Sequence, residues 1–486
     1  MLSKPRGIHL DYPLIQDSEV GLYRKGLNFT AMEIKRVILN NVGTFKTLEI
    51  PLAPTEKAPS NITVFVGNNG TGKTSILKAL ATALSWFIAR LRTEKGSGNP
   101  IPEETILNAA NAAAIEIEIF DSIRISAHPH ESDMGARFQW RLAKIRKGRK
   151  AQYNSNLNDC NRLANHYRSA LTDNEKTSLP LIAFYPVERV VIDIPLKIRT
   201  KHTFLQLDGY DNSLIQGVDF RRFFEWFRER EDIENESGIP EEMRSVIRQF
   251  IASEDLWKQF LEANASTRDK QLTAVRTAIR QFMPQMDHLR VRRRPRLHMA
   301  IDKNGETLNV AQLSQGEKSL MALVGDIARR LAMLNPALDN PLTGEGIILI
   351  DEVDLHLHPS WQRSLCDRLI STFPNCQFVL TTHSPLVISD CKHVLAYSLT
   401  NGESQELPSQ YGQDANTVLL DVMDTSIRNQ KIDIMLNDLL DAIQDSNLSQ
   451  AQTLLTDLTN ELTVNHIELL KAKLLLRKQE LRHANH

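Results

Sequence analysis

One glycine-rich stretch, Gly67-Asn68-Asn69-Gly70-Thr71-Gly72-Lys73-Thr74, limits what this chain can fold into. It matches the pattern GxxxxGK[ST] at every fixed position. The run before it, 62–66, is apolar and largely β-branched, which is typical of a strand buried on both faces. The run after it, 75–89, carries Ala, Leu and Ile at helical spacing. The sequence therefore predicts a phosphate-binding loop between the end of a strand and the start of a helix.

The chemistry of such a loop assigns a role to each residue type. Glycines let backbone N–H groups point at phosphate oxygens, and the helix N-terminus adds partial positive charge. Lys73 is expected to reach the β- and γ-phosphates, and the Thr74 hydroxyl to ligate Mg²⁺. The predicted nucleotide-binding set is Gly67, Asn68, Asn69, Gly70, Thr71, Gly72, Lys73, Thr74 and Ser75.

Composition sets few limits on the partners. The chain has 486 residues with Lys+Arg 58 against Asp+Glu 59, so any basic surface must be local. Its four cysteines show no paired metal-ligand spacing, which suits a reducing cytosol. The sequence has no secretory pattern at its start and no long apolar run. We therefore expect a cytoplasmic location and no membrane contact.

A second motif, Leu313-Ser314-Gln315-Gly316-Glu317, opens a predicted amphipathic helix. It resembles the LSGGQ signature of ABC ATPases, with Gln at the third position and Glu at the fifth. Ser314, Gln315, Gly316 and Glu317 are expected to form an anion site with the N-terminus of that helix.

Two acidic residues follow an apolar strand at 347–350. Asp351 is expected to hold the Mg²⁺ shell, and Glu352 to polarise the attacking water. Asp354 follows on a turn, as the D-loop residue of the same nucleotide site.

The last motif is a strand at 378–382 that ends on His383. Such a histidine can hydrogen-bond the γ-phosphate and the attacking water, so Glu352, His383 and Lys73 form the predicted catalytic set. Each later motif is weak alone, but their order along the chain indicates a hydrolytic site. His356 and His358 do not predict a metal pair, because no third ligand accompanies them.

In this order the motifs resemble the ABC-type ATPase heads of the SMC, RecF and OLD-like group, within the AAA family, over residues 30–80 and 285–400. A closer resemblance is to the ATPase subunits of Septu antiphage systems, the PtuA family. It is carried by Tyr185-Pro186-Val187-Glu188-Arg189 with the following Asp193-Ile194-Pro195-Leu196, the signature and the helical C-terminus. The resemblance implies an ATPase that uses ATP and Mg²⁺ and works with a separate HNH nuclease. No glutamine stands at the Q-loop position, which leaves Glu188 or Arg189 as its equivalent.

The predicted fold is α/β: an ABC-type P-loop ATPase head with a mixed β-sheet, an antiparallel lobe, a helical insertion and a C-terminal helical extension. Strands are expected at 33–39, 47–52, 114–119, 123–126, 136–145, 181–185 and 289–300. The predicted domains are an N-terminal arm at 1–28, a first lobe at 29–214, a helical insertion at 215–285, a second lobe at 286–405 and the extension at 406–486.

Three functions remain open at this point. The chain could be a defence ATPase that senses nucleotide and regulates a nuclease, a RecF-like repair ATPase that binds DNA directly, or a transporter ATPase. Because the phosphate loop and the signature lie on opposite sides of such a head, we expect a homo-oligomer built from head-to-head dimers. No carboxylate cluster or His-Asn-His pattern follows His383, so we expect no nuclease site in this chain.

Four segments allow two interpretations each. The basic run 144–150 is a solvated turn or a phosphate contact, and the arginines of 290–296 form a polar strand face or a groove for DNA, RNA or nucleotide. The aromatic stripe of Phe220, Phe223, Phe224 and Phe227 packs in a core or stacks on bases. The leucine-rich helices after 430 pack on their own domain or bind a partner.

Overall fold

The fold is seen in a computed structural model that describes residues 32–122, 135–150, 152–187, 204–215, 220–237, 241–251, 253–258, 268–423, 425–462 and 466–484. The chain divides into two compact units, Met1–Gly412 and Gln413–His486. The predicted arm at 1–28 and the predicted strand at 123–126 lie outside the described residues, as do the Q-loop candidates Glu188 and Arg189.

The secondary structure alternates between short strands and longer helices. The strands are β1 Glu33–Val42, β2 Phe45–Pro51, β3 Ile62–Val66, β4 Ala112–Asp121, β5 Ala136–Ile145, β6 Leu181–Tyr185, β7 Met286–Arg292, β8 His298–Lys303, β9 Glu306–Asn309, β10 Gly346–Ile350, β11 Cys376–Thr381, β12 Leu395–Thr400 and β13 Glu403–Glu406. The principal helices are α1 Lys73–Arg92, α2 Asn158–Asp173, α3 Phe220–Ser237, α4 Glu241–Phe250, α5 Lys270–Phe282, α6 Gln315–Leu334, α7 Pro359–Thr372, α8 Pro385–Ser389, α9 Ala415–Asp421, α10 Gln430–Gln444, α11 Leu448–Glu461 and α12 Ile467–Ala484.

A six-stranded mixed sheet forms the centre of the first unit, in the order β13-β12-β3-β11-β10-β6. Five of these strands run parallel, and β13 pairs antiparallel with β12 at one edge. Strands β3, β6, β10 and β11 are buried along their whole length, as their largely apolar composition predicts. Because parallel strands end at one edge, the residues after β3, β10 and β11 are brought close together.

The predicted antiparallel lobe is a second sheet in the order β2-β1-β4-β5. Alternation of apolar and acidic residues over 115–119 predicts a half-exposed strand, and this is wrong, because Glu116 in the centre of β4 is only 6% exposed. The cross-strand side chains of Gln139 and Arg141 hydrogen-bond the Glu116 carboxylate and cover it. Alternation therefore assigns the apolar and acidic residues to opposite faces of this strand, but it does not show whether the acidic face is open to water.

Helix α1 packs between the two sheets. It contacts strands of both, and the indole N–H of Trp140 on β5 donates to the carbonyl of Ala83 at 3.1 Å. Among the described residues, α1 is the one helix whose length and composition would allow a membrane crossing, but 61% of that stretch is buried inside the protein. The helix is the core element that follows the phosphate loop.

The aromatic stripe of α3 is buried against neighbouring helices. Phe220, Phe223, Phe224 and Phe227 are each at most 4% exposed. A Cβ added to Gly325 of α6 would lie 2.9 Å from the Phe223 ring, so α3 approaches α6 closely at this glycine. Buried rings are unavailable for base stacking, which decides between the two interpretations of this stripe.

The predicted strand at 289–300 is instead a hairpin. Strands β7 and β8 pair antiparallel, with residues 293–297 forming the turn, and β9 completes a three-stranded sheet. Pro295 sits in this turn, where the missing N–H and fixed φ of proline are tolerated. The sequence does not show this turn, because the run of arginines is polar throughout and marks no boundary between strand and turn.

The second unit contains the predicted C-terminal helices. Its core is formed by α10, α11 and α12, with Leu439, Leu458 and Leu469 fully buried. The sequence pattern places Ile467, Leu470, Leu474 and Lys478 along one stripe of the last helix. This stripe does not face the core, because Leu470 and Leu474 are 45% and 71% exposed. Helix α12 therefore has one apolar face packed in its own unit and a second apolar face exposed.

One buried side-chain amide joins the two large sheets. Gln377 of β11 is 1% exposed, and its Oε1 accepts the Ile34 N–H of β1 at 2.8 Å. Its Nε2 donates to the carbonyls of Ile34 at 2.8 Å and Ala53 at 2.6 Å. A leucine here would leave three buried backbone groups without this partner.

We therefore expect Gln377→Leu to lower the free energy of unfolding by about 2–4 kcal/mol, since each unsatisfied buried group costs about 1–3 kcal/mol. The measurement is urea unfolding, read as a lower midpoint at unchanged slope. Gln405→Leu on the exposed edge strand β13 is the matched control and should change stability by less than about 0.5 kcal/mol. Equal effects of the two variants would contradict the role given to this amide.

Candidate nucleotide-binding and hydrolysis site

The predicted phosphate loop lies between the end of β3 and the start of α1. Gly67, Gly70 and Gly72 have φ of 147°, 82° and 100°, conformations that L side chains rarely adopt. Gly72 is the N-cap of α1, and no side chain caps this helix. The N–H groups of its first turn are therefore left for an anion.

Two of these glycines also stand in close contact with neighbouring elements. A Cβ on Gly67 would lie 2.6 Å from the Leu399 carbonyl oxygen of β12, and one on Gly72 would lie 2.5 Å from the Phe45 ring. The loop is thus held against both sheets. A side chain at either position would displace the loop from the site.

Lys73 is the first residue of α1 and is only 6% exposed. Its ammonium donates to the carbonyls of Gly67 at 2.8 Å and Asn68 at 2.9 Å. Burial lowers the pKa of Lys73. Three carboxylates act on that pKa in the opposite direction, those of Glu352, Asp351 and Asp354. The structure therefore brings together the lysine and the three acidic residues that the sequence assigned to one site.

Thr381, the last residue of β11, fixes the acidic pair at the end of β10. Its hydroxyl donates to Asp351 Oδ1 at 2.6 Å and accepts the Glu352 N–H at 2.7 Å. Asp351 is 1% exposed, and its own N–H donates to the Tyr185 carbonyl at 2.9 Å. One threonine hydroxyl thus sets the position of both carboxylate-bearing residues.

Glu352 has a strained backbone. Its φ is 45°, a left-handed conformation that costs a residue with a Cβ roughly 1–3 kcal/mol. The bond from its N–H to Thr381 and the turn bond from Leu355 N–H to its carbonyl hold this conformation. Strain of this kind is concentrated at functional sites, which agrees with the role predicted for Glu352.

Thr382 holds the D-loop by a hydrogen bond to Asp354, as Thr381 holds the acidic pair. Its hydroxyl donates to Asp354 Oδ1, and the same oxygen accepts the His383 N–H at 3.3 Å. The Ser384 N–H donates to the Thr382 hydroxyl at 2.9 Å. The His383 side chain is exposed beside this network. The two threonines are functional residues that the motif analysis missed.

The signature opens helix α6 through a reciprocal cap. Ser314 Oγ accepts the Glu317 N–H at 3.3 Å, and Glu317 Oε2 accepts the Ser314 N–H at 3.0 Å. The other Glu317 oxygen pairs with Lys303 of β8 at 2.7 Å. Although burial acts against it, this partner and Ser314 hold the pKa of Glu317 below its usual value. Glu317 therefore shapes the start of the helix, while Ser314 and Gln315 stay exposed.

Gly316 of the signature meets the loop that follows β10. A Cβ at this position would lie 2.3 Å from the His356 carbonyl oxygen, so the approach requires glycine. His358 caps α7 through its Nδ1, which accepts the Ser360 N–H at 3.3 Å. The described residues contain no cluster of His, Cys, Asp and Glu that could hold a metal ion on its own.

A buried charged group connects the signature helix to the acidic pair. The Tyr185 hydroxyl donates to Asp326 of α6 at 3.0 Å, and Arg329 and Arg330 both donate to that carboxylate at 2.7 Å. Burial opposes ionisation, but the two arginines hold the pKa of Asp326 down at about 2. Because the Tyr185 carbonyl accepts the Asp351 N–H, α6 and the end of β10 share this tyrosine. In the sequence, the only sign of this buried group is a set of charged residues at i, i+3 and i+4 of an apolar helix.

This donor set fits a magnesium nucleotide. The uncapped helix start and the buried Lys73 suit phosphate oxygens, and the Thr74 hydroxyl and Asp351 carboxylate are oxygen ligands of the kind Mg²⁺ prefers. Bound Mg²⁺ would supply positive charge against the β- and γ-phosphates. Within the described residues, no hydrogen bond or ion pair joins residues 314–317 to residues 67–75.

The fold and this arrangement define an ABC-type P-loop ATPase. Residues 62–389 match the family described as AAA domain, putative AbiEii toxin, Type IV TA system, and the chain belongs to this family. The chain is an ATPase of that family.

The relatives include proteins of retron and Septu systems. A protein described as Retron Ec83 probable ATPase, from Escherichia coli, is 33% identical over 439 residues, which cover 82% of this chain and 78% of that protein. Septu protein PtuA from Bacillus mycoides (strain KBAB4) is 39% identical over 113 residues, 22% of this chain and 15% of that protein. A solved SMC head bound to the C-winged helix domain of ScpA covers 77% of this chain and 97% of that chain, at 17% identity and a TM-score of 0.40. The predicted similarity to PtuA is confirmed over a short stretch, and the longer match is to the retron ATPase.

Replacing Thr381 tests how the acidic pair is held. Thr381→Val keeps the side-chain shape but loses both hydrogen bonds, so we expect kcat for ATP hydrolysis to fall about 10- to 100-fold, as for other residues that orient metal ligands. The Mg²⁺ concentration needed for half-maximal rate should rise, while nucleotide binding to the Lys73 loop changes little. Thr381→Ser restores the hydroxyl and should stay within about threefold of the wild-type rate. A valine variant with wild-type kcat and Mg²⁺ dependence would refute this role.

Proposed function

We propose that this protein is the ATPase subunit of an antiphage defence system, and that paired heads bind ATP and control a separate HNH nuclease. The membership in the AAA family and the similarity to retron and Septu ATPases support the first part. The exposed signature, which makes no bond to the chain's own phosphate loop among the described residues, supports the pairing of two heads.

In this proposal each nucleotide is bound by two copies of the chain. Lys73 and the loop Gly67–Ser75 of one copy hold the phosphates, with Thr74 and Asp351 at Mg²⁺ and Asp354 nearby. Glu352 polarises the attacking water, and His383 bonds the γ-phosphate and that water. The exposed Ser314 and Gln315 of the second copy close the site, with Gly316 and Glu317 shaping the helix start behind them. A symmetric dimer would then contain two such sites.

The proposed nuclease partner binds the helical unit at Gln413–His486. Helix α12 supports this, since it presents Ile467, Leu470, Leu474 and Leu481 at 64%, 45%, 71% and 60% exposure. Several exposed apolar side chains along one helix are typical of an interaction surface. We place the complex in the cytoplasm, because all four cysteines are free and buried.

The test separates ATP hydrolysis from nucleic-acid cleavage. This chain and the HNH nuclease encoded beside it are purified separately and incubated with plasmid, Mg²⁺ and ATP, alone and together. We expect cleavage only in the mixture. The rate of cleavage should differ at least about tenfold, or 1.4 kcal/mol, between mixtures containing Glu352→Gln, which binds ATP without turnover, and Lys73→Ala, which binds it poorly.

Two outcomes would contradict this function. Nicking by this chain alone that survives Lys73→Ala would reveal a nuclease site of its own. Equal cleavage with Glu352→Gln and Lys73→Ala would show that nucleotide occupancy does not control the partner.

A further inference from the structure

The tip of the β7–β8 hairpin is made of arginines and one proline. Residues 292–296 read Arg-Arg-Arg-Pro-Arg, and all five are exposed. The chain as a whole carries a net charge of −1, so this is a local concentration of positive charge. The ATPase site uses none of these residues.

Ion pairs divide these arginines into two groups. Arg290, lower on β7, donates to Asp302 at 2.8 Å, and Arg293 pairs with Asp232 of α3. Within the described part of the chain, no carboxylate lies within ion-pair distance of Arg292, Arg294 or Arg296. Among the described residues, the exposed side chains of these three arginines at the tip of the hairpin therefore have no charged partner.

Two acidic residues of α3 near the hairpin already form ion pairs. Glu231 and Glu234 both pair with Arg276 of α5, at 3.1 Å and 2.7 Å. Glu231 also accepts the Val291 N–H of β7 at 2.9 Å, which fixes the strand beside the tip to the helix. The positive tip is thus presented on a supported strand pair.

The chemistry of this tip favours a phosphate backbone as its ligand. Arginine binds phosphate with two parallel hydrogen bonds, and a two-stranded ribbon is narrow enough to follow a nucleic-acid groove. The strand residues Leu289, Val291 and Met299 are at most 7% exposed, and Leu297 in the turn is only partly exposed. The hairpin therefore offers no fully exposed apolar anchor for a protein hot spot or for insertion into a lipid surface.

We propose that the arginine tip, defined as Arg292, Arg294 and Arg296, binds the phosphate backbone of a nucleic acid. The same small sheet continues through β8 to Lys303, whose ammonium pairs with Glu317 at the start of the signature helix. The small sheet that carries the proposed nucleic-acid site therefore also contacts the start of the signature helix. The proposed site shares no residue with the nucleotide loop 67–75 or with the helices assigned to the nuclease.

The experiment measures binding of fluorescent single-stranded DNA, duplex DNA and single-stranded RNA to the full chain by anisotropy, at a series of salt concentrations. The triple variant Arg292→Ala, Arg294→Ala, Arg296→Ala should lose at least about tenfold in affinity at about 0.1 M salt, and its slope of log K against log salt should fall by about 2–3. The three probes show which nucleic acid binds best. Triple replacement by lysine should retain most of the salt slope, since charge is kept.

The basic turn after β5 provides a matched control. Lys147, Arg149 and Lys150 are exposed and have no ion pair among the described residues, so their triple alanine variant removes the same charge elsewhere. We expect less than about a threefold change in nucleic-acid affinity from it. Both triple variants should unfold at the wild-type midpoint, which excludes misfolding as the cause.

Three results would overturn the proposal. The wild-type chain could fail to bind any of the three probes. The tip and control variants could lose affinity equally, which would indicate a diffuse charge effect. The tip variant could keep nucleic-acid binding but lose a protein partner, which would make the tip a protein contact instead.

Discussion

The buried ammonium of Lys73 is the constraint around which the head is arranged. A charge only 6% exposed requires opposite charge nearby, and the sheet order β3-β11-β10 brings Asp351, Glu352 and Asp354 toward it. The two consecutive threonines at the end of β11 then fix those carboxylate loops by hydrogen bonds. The order of the strands therefore brings the residues of the site together, and the threonine hydroxyls then fix their positions.

The signature is not part of this group of charged residues, and a separate set of contacts holds it in place. Its serine and glutamate cap each other, Lys303 holds the glutamate, and Gly316 permits close contact with the loop after β10. These bonds use the Glu317 carboxylate internally and leave the exposed start of the helix for another molecule. This exposed helix start makes no bond to the phosphate loop of its own chain among the described residues, which supports the proposed site between two copies.

Much of this could be predicted because the signals are local. Buried strands such as Ile347–Ile350 and the glycine-lysine loop follow from short runs of residue types, and both were confirmed by the structure. What sequence reasoning missed depends on pairing across strands and helices. Thr381 looked like one more β-branched residue of a buried strand, and the polar run 292–296 concealed a turn. The leucine-rich pattern of the last helices left open whether the outer stripe of α12 packs in its own unit or binds a partner.

The central claim, a nucleotide site shared by two copies, is tested most directly by mixing two inactive variants. Lys73→Ala removes the phosphate loop's lysine, and Ser314→Arg blocks the signature. In a mixed dimer one site carries both defects and the other carries neither, so an equimolar mixture should recover about a quarter of the wild-type ATPase rate. A mixture that stays inactive, or Ser314→Arg that alone keeps the wild-type rate, would contradict a shared site.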